Sequence, residues 1–215
     1  MIAMDMYVDG SRLELGKRIG KGGEGEVFLA QSHSKTAVKI YAPKLALLRE
    51  DKVVAMVEAG LWKNSSLVAF PKGVVRSKKG EFLGFTMNVV EGHRPVHELY
   101  GVKSRKNHYP KADFRFLVRA AANIARAVGQ VHQSPCVIGD LNHSGILVSD
   151  TATVALIDAD SFQFEHSSRR FPCLVGVPDF TPPELHGASL NGVVRLREHD
   201  LFGLGVAIFQ LLFMG

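Results

Sequence analysis

Four stretches of this 215-residue chain carry residues of the types that handle a nucleotide's phosphates, and their order matters as much as their chemistry. Asp140 stands alone in a polar loop within Ile138-Gly-Asp-Leu-Asn-His-Ser-Gly-Ile-Leu-Val148, just before an apolar run. A second apolar stretch, Ala155-Leu-Ile-Asp-Ala-Asp160, ends on Asp158. One carboxylate delivered in this way suits the orienting of a hydroxyl nucleophile, and the other suits holding a divalent metal on a phosphate. Upstream, Ile19-Gly-Lys-Gly-Gly-Glu-Gly-Glu-Val27 is a glycine-rich turn, and Thr36-Ala-Val-Lys-Ile40 sets Lys39 in a β-rich run. Glycine turn, strand lysine, loop aspartate and strand-end aspartate, in that order, are the parts of a phosphoryl-transfer site.

The elements that must position these residues change character along the chain. Residues 13–41 predict three strands, because Leu13, Leu15 and Ile19, then Val27 to Ala30, then Thr36 to Tyr41 are β-rich and bounded by turn residues. Pro43 opens a helix over Leu45 to Ala59. Leu67 to Val75 and Glu81 to Val90 predict a hairpin turning at Ser77-Lys-Lys-Gly80. Beyond a hinge at Asn88 to Gly92 the pattern becomes helical. Leu117, Ala121, Ile124, Val128 and Val131 recur at steps of three and four, an amphipathic helix. A polar loop, a short strand pair, a Pro/Gly-rich segment and a final apolar helix follow. The expectation is an α+β protein with a mainly β part over residues 1–90 and a mainly helical part over residues 91–215, with a ligand cleft between them.

Composition narrows the field. With 46% apolar and 22% charged residues the chain is a folded globular protein. The net charge of +5 is mildly basic, and no aromatic residues alternate with basic ones as a nucleic-acid groove would need. Two cysteines, Cys136 and Cys173, have no metal-ligand spacing and fit a reducing cytoplasm. Met1 to Tyr7 has neither a basic region nor an apolar signal core, and the apolar run Leu201 to Met214 is too short to span a bilayer. Nine histidines show no His-x-x-x-His pattern, so no zinc site is expected.

From about Leu13 onward these motifs resemble the protein kinase family, which implies a bilobal fold, ATP and Mg²⁺ in the interlobe cleft, and a protein hydroxyl as acceptor. A glycine turn that leads from strand to strand argues against a dinucleotide or Walker site, both of which feed a helix. By the resemblance Gly20, Gly22 and Gly25 match the patterned glycines, with Lys21 and Gly23 between them, and Val27 and Ala37 border the adenine. Lys39 matches the strand lysine that holds the α- and β-phosphates. Its acid is expected on the following helix. Glu50 is favoured because Leu47, Val53, Val54 and Val57 put it on the inward stripe, with Asp51 and Glu58 as alternatives. Met87 falls at the gatekeeper position, backbone near Val89 faces adenine, and Leu147 lies beneath the base.

Departures from the family pattern are considerable. Asp140 keeps the nucleophile-orienting position, but Ile138 and Gly139 replace the preceding histidine and arginine, so control through a phosphorylated activation segment is not expected. Asn142 takes the place of the catalytic-loop lysine, and Gly145 that of the metal-binding asparagine. Asp158 matches the metal-binding aspartate, followed by Ala159 and a second acid, Asp160. Asp160 or Asn142 could supply the metal ligand lost at Gly145. A plainer role for Asp160 is to cap its own turn. Loss at Gly145 implies a weak second metal site and a possible preference for Mn²⁺. The segment ending in Pro183-Glu184, and His199-Asp-Leu-Phe-Gly-Leu-Gly205, resemble protein kinases rather than small-molecule phosphotransferases. In detail they resemble a bacterial serine/threonine kinase group found in tellurite-resistance-like gene sets, beside a von Willebrand-type protein and a metal-dependent phosphatase. A nucleotide-binding pseudokinase that acts as a scaffold is the rival expectation. The helix over Leu201 to Phe213, apolar nearly all round, predicts a helical lobe truncated after its central helix and a homodimer through the bared face.

Overall fold

A computed structural model describes residues 5–31, 35–63 and 65–213. The chain divides into two compact units, one of residues 1–64 and 69–89, the other of residues 65–68 and 90–215.

The first unit is a seven-stranded antiparallel sheet with one helix. Its strands are β1 (Met6–Val8), β2 (Ser11–Leu13), β3 (Leu15–Lys21), β4 (Gly25–Ala30), β5 (Thr36–Tyr41), β6 (Gly73–Ser77) and β7 (Phe82–Asn88), in the order β2-β1-β6-β7-β5-β4-β3. Helix α1 (Pro43–Glu58) starts with proline near its first turn, where the missing N–H costs nothing. The sheet is apolar on both faces. Under α1, Tyr41, Phe82 and Phe85 pack with Ala46 and Val53, and Met87 lies against them. On the opposite face Leu13, Ala30, Val38 and Val75 pack with Met6, Val8, Leu15, Ile40 and Leu83. Full burial of Val53 or Phe85 is worth about 1.5–3 kcal/mol each.

Two features differ from the sequence reading. The β1–β2 hairpin was not expected. Its turn is Asp9-Gly10, with φ of 48° and 78°, the left-handed pair that a two-residue hairpin loop requires. The expected start of the β6 arm, at Leu67 and Val68, belongs to the second unit instead: Leu67 O accepts from Leu156 N at 2.7 Å, and Val68 bridges Leu156 in parallel.

The second unit is mainly helical. Its helices are α2 (His97–Tyr100), α3 (Val102–His108), α4 (Phe114–His132) and α5 (Arg197–Phe213). Asp113 caps α4, its carboxylate accepting from Phe116 N at 2.8 Å. The buried stripe of α4 runs Leu117, Ala120, Ala121, Ile124, Ala127, Val128 and Val131, the periodicity read from the sequence, and it packs on α5. Two small antiparallel sheets complete the unit. One joins β8 (His93–Pro95), β10 (Ile146–Ser149) and β11 (Val154–Leu156), and the other joins β9 (Cys136–Val137), β12 (Gln163–His166) and β13 (Arg169–Phe171). Along α5, Asp200, Gly203, Ala207 and Leu211 are buried, while Leu201, Phe209 and Phe213 are exposed. Among the described residues no helix is long and apolar enough to cross a membrane.

Candidate active site

In the first unit the register of β4, β5 and β7 gathers the expected nucleotide-binding residues. Val27 pairs with Lys39, Ala37 with Met87, and Lys39 with Phe85. Directly opposed residues share a face, and so do residues two apart on one strand. Val27, Ala37, Lys39 and Met87 therefore lie on one side of the sheet, and Val38 and Ile40 on the other. Lys39 is 8% exposed, its Nζ 5.3 Å from the Tyr41 ring and 5.9 Å from the Phe85 ring. Those aromatic faces suit a cation. A groove of about 790 Å³ lined by Leu13, Phe28, Ile40 and Leu83 opens without Lys39 or Ala37 on its walls.

The glycine turn closes on itself through Gly22 N, which donates to Gly25 O at 2.9 Å. Gly25 is required by packing, since a Cβ there would lie 2.1 Å from Ile40 O. Gly22 and Gly23 face open space, which leaves their backbone accessible to a close-approaching group. Between them and Gly25, Glu24 forms an ion pair with Arg49 of α1.

Glu50, expected to pair with Lys39, is engaged by Arg76 of β6, whose Nη1 donates to Glu50 Oε1 at 2.7 Å. The stripe on α1 explains part of this difference. Leu47 is 79% exposed, and the buried residues are Ala46, Lys52, Val53, Ala55 and Met56. Glu50 is half-buried, but the cation it meets comes from the neighbouring strand. At the end of β7, Val89 N donates to Lys35 O at 3.1 Å, so its amide is committed within the unit.

In the second unit the loop between β9 and β10 hangs on one buried carboxylate. Asp200 of α5, 1% exposed, accepts from Ile138 N at 2.8 Å, Gly139 N at 2.7 Å and His132 Nε2 at 2.8 Å. Gly139 has φ of +74°, and a Cβ there would come within 2.7 Å of Cys173 Cβ, so both conformation and space demand glycine. The loop then presents Asp140. Its Oδ1 accepts from Asn142 Nδ2 at 3.0 Å and from Val177 N at 3.1 Å. Burial pushes the Asp140 carboxyl above the usual aspartate range. The Asn142 amide, the Val177 N–H and the charge of Arg195 pull it down, and Asp158 pushes it up.

Asp158 sits at the end of β11 in a left-handed conformation, φ 58° and ψ 32°, and opens a 3₁₀ turn over Ala159–Ser161. Ser161 Oγ donates back to Asp158 O at 2.8 Å. Asp140, Asn142, Ser144, Gly145 and Asp158 line one cavity of about 80 Å³. Asp160 is buried at 2% exposure and does not line it. Asn142 Oδ1 already accepts from Ser144 N at 2.8 Å and Gly145 N at 3.3 Å, so its amide braces the loop. Of the two stand-ins expected for the lost asparagine, neither offers an uncommitted oxygen on the cavity wall. A Cβ on Gly145 would meet only Asn142 O at 3.8 Å and Ile157 O at 3.9 Å, so the position has room for a side chain.

Among the described residues no group of three or more His, Cys, Asp or Glu could by itself hold a metal. Mg²⁺ takes one or two carboxylates, keeps several waters and completes its shell on phosphate oxygens. The hard oxygens of Asp158 and Asp140 on one small cavity are donors of that class.

Sequence reasoning did not find Arg195, Gln163, His132 or the Val177 amide. Arg195 is 1% exposed beside the loop, and its signal is faint: one cation inside Val193-Val-Arg-Leu196.

The model of the protein kinase domain matches residues 13–214. Protein kinase YegI of Escherichia coli K12 is 36% identical over 208 residues, covering 96% of this chain and 32% of that protein. Serine/threonine-protein kinase PknD of Chlamydia trachomatis serovar D is 26% identical over 241 residues, covering 94% of this chain and 24% of that protein. The chain thus spans a third or less of the length of these relatives. Among solved structures, the ROP18 kinase domain in complex with AMP-PNP and sucrose is similar with a TM-score of 0.69 at 16% identity, over 97% of this chain and 66% of that one.

Proposed function

This chain belongs to the protein kinase domain family, and we propose that it is an ATP-dependent serine/threonine protein kinase. The observation that carries the reading is the double anchorage of Asp140 Oδ1 by Asn142 and Val177 N, on a cavity that Asp158 shares. Both anchors fall on one oxygen and fix the plane of the carboxylate. The other oxygen is left to orient an acceptor hydroxyl and take its proton as the hydroxyl oxygen bonds the γ-phosphorus and ADP departs. Lys39 balances the α- and β-phosphates, and the open backbone at Gly22 and Gly23 admits the triphosphate. Val27, Ala37, Met87 and Leu147 border the base. Asp158 would hold Mg²⁺ or Mn²⁺, which neutralises phosphate charge when bound. Because Asn142 replaces a lysine at the catalytic loop, its contribution is to brace Asp140 and not to add charge.

A second reading, a nucleotide-binding pseudokinase, draws on Gly145 and Ala159. Thermal denaturation with ATP and Mg²⁺ tests the part that both readings share. A ligand that binds only the native state raises Tm, by an amount equivalent to about 2.7 kcal/mol at a hundred times Kd. Lys39→Ala should abolish the rise. No rise at millimolar nucleotide would contradict both. From the resemblance to the bacterial kinase group alone, we infer a protein hydroxyl in the cytoplasm as acceptor, and a metal-dependent phosphatase and a von Willebrand-type protein as partners. The exposed Leu201, Phe209 and Phe213 of α5 favour a homodimer, which light scattering at micromolar concentration would detect.

A further inference from the structure

Arg195 is the largest fully buried side chain among the described residues, at 1% exposure. A guanidinium does not lose its proton near neutral pH, so the charge itself is enclosed. Such burial is unfavourable unless the surrounding groups require the cation. Its place is fixed at both ends. The Arg195 backbone is gripped by one side chain: N donates to Gln163 Oε1 and O accepts from Gln163 Nε2, each at 2.8 Å. At the other end Nη2 donates to Val175 O at 3.1 Å, while Nε has no hydrogen-bond partner.

Two glycines make the room. A Cβ on Gly139 would lie 3.2 Å from Arg195 Cγ, and a Cβ on Gly176 would lie 3.1 Å from its Nη2. Gly139 immediately precedes Asp140. Gly176 immediately precedes Val177, whose N–H donates to Asp140 Oδ1. Arg195 is therefore wedged between the residue that leads into the carboxylate and the residue that leads into the amide holding it. The catalytic-loop position that carries arginine in the resembling pattern is Gly139. A guanidinium reaches the same loop from elsewhere in the chain, and from inside. Enclosed as it is, it is not placed to receive a phosphate from a modified segment.

We propose that Arg195 is a positioning residue for the catalytic loop, clamping Val175–Val177 against Asp140 so that the base is set without phosphorylation of the activation segment. The proposal rests on the kinase reading of Asp140, and the experiment separates the two. Arg195→Met, Arg195→Lys and Gln163→Leu are made in the full chain, and each is assayed for phosphoryl transfer from ATP and for amide hydrogen exchange at Val177. Arg195→Met should lower kcat by about 100-fold, the scale of a displaced catalytic group, with KM for ATP within about twofold of wild type. Arg195→Lys should recover most of the loss. Val177 should exchange faster in Arg195→Met and in Gln163→Leu, and wild-type protein treated with a phosphatase should keep its activity.

Wild-type kcat and Val177 protection in a folded Arg195→Met protein would overturn the proposal. So would parallel loss of kcat and ATP binding that lysine does not rescue, or loss of wild-type activity on phosphatase treatment. If Arg195→Met does not fold, Gln163→Leu decides, and unchanged Val177 exchange there refutes the clamp. If wild-type protein transfers no phosphate, the kinase reading fails, and Val177 exchange alone judges the role of Arg195.

Discussion

Replacing Asp200 by alanine would take three hydrogen bonds from one carboxylate that is 1% exposed. Ile138 N would be left as a buried donor, Gly139 N as a half-buried one, and His132 Nε2 would lose its acceptor. Bonds to a charged acceptor are worth about 1.5–3 kcal/mol each, and a stranded buried donor costs about 1–3 kcal/mol. With some relaxation of the loop, the loss should be about 3–5 kcal/mol. A domain of this size is stable by about 5–15 kcal/mol, so the variant should fold but unfold at markedly lower urea. Equilibrium unfolding followed by far-UV circular dichroism measures this. His132→Ala removes only the ring donor and should cost about 1–2 kcal/mol, which isolates the backbone share. An Asp200→Ala protein within about 1 kcal/mol of wild type would refute the reasoning, because water would then be satisfying both amides.

Gly139→Ala combines a φ of +74° with a Cβ 2.7 Å from Cys173 Cβ, and should cost at least about 2 kcal/mol in the same assay; a neutral result would contradict the crowding. Gly145→Asn meets only ordinary contacts at 3.8 and 3.9 Å, so it should fold within about 0.5 kcal/mol of wild type and lower the Mg²⁺ needed for activity. An unchanged Mg²⁺ titration would mean that the asparagine position is already served. The Asp140 carboxyl lies above its ordinary range, chiefly through burial. The acid limb of kcat/KM should then stand above the free aspartate value of about 3.9, because the base must be deprotonated to act. For stability the sign is opposite to that of a salt-bridged acid. The contribution is present below the unfolded pKa and is lost as pH rises through the raised one. An acid limb at or below the free value would contradict the burial argument.

Much of the fold was legible where periodicity was strong. The stripe of α4 is the clearest case, because Leu117, Ile124, Val128 and Val131 leave no competing face. Short elements were not. β1 and β2 hold three residues each, too few for alternation to register, although Asp9-Gly10 is a turn signal in its own right. On α1 the size of Leu47 misled, since the small Ala46 is buried and the leucine is 79% exposed.

At the candidate site, Asp140, Asn142 and Asp158 line one cavity and fall in two short motifs readable in the sequence, whereas Val177 and Asp200, which hold the loop, lie 37 and 60 positions beyond Asp140. Glu50 was placed on an inward half of its helix, but the identity of its cation depended on β6, 26 residues away. Arg195 was missed for the same reason. It meets the catalytic loop only through tertiary packing, and its two glycine neighbours lie 56 and 19 positions earlier.

The proposed phosphoryl transfer depends on both Asp140 and Asp158. Transfer of label from γ-labelled ATP to casein, compared among wild type, Asp140→Ala and Asp158→Ala, tests it most directly. Labelling by the wild-type protein and a loss of at least about 100-fold in both variants are expected. Equal labelling in all three, or none in the wild type despite ATP binding, would contradict the proposal.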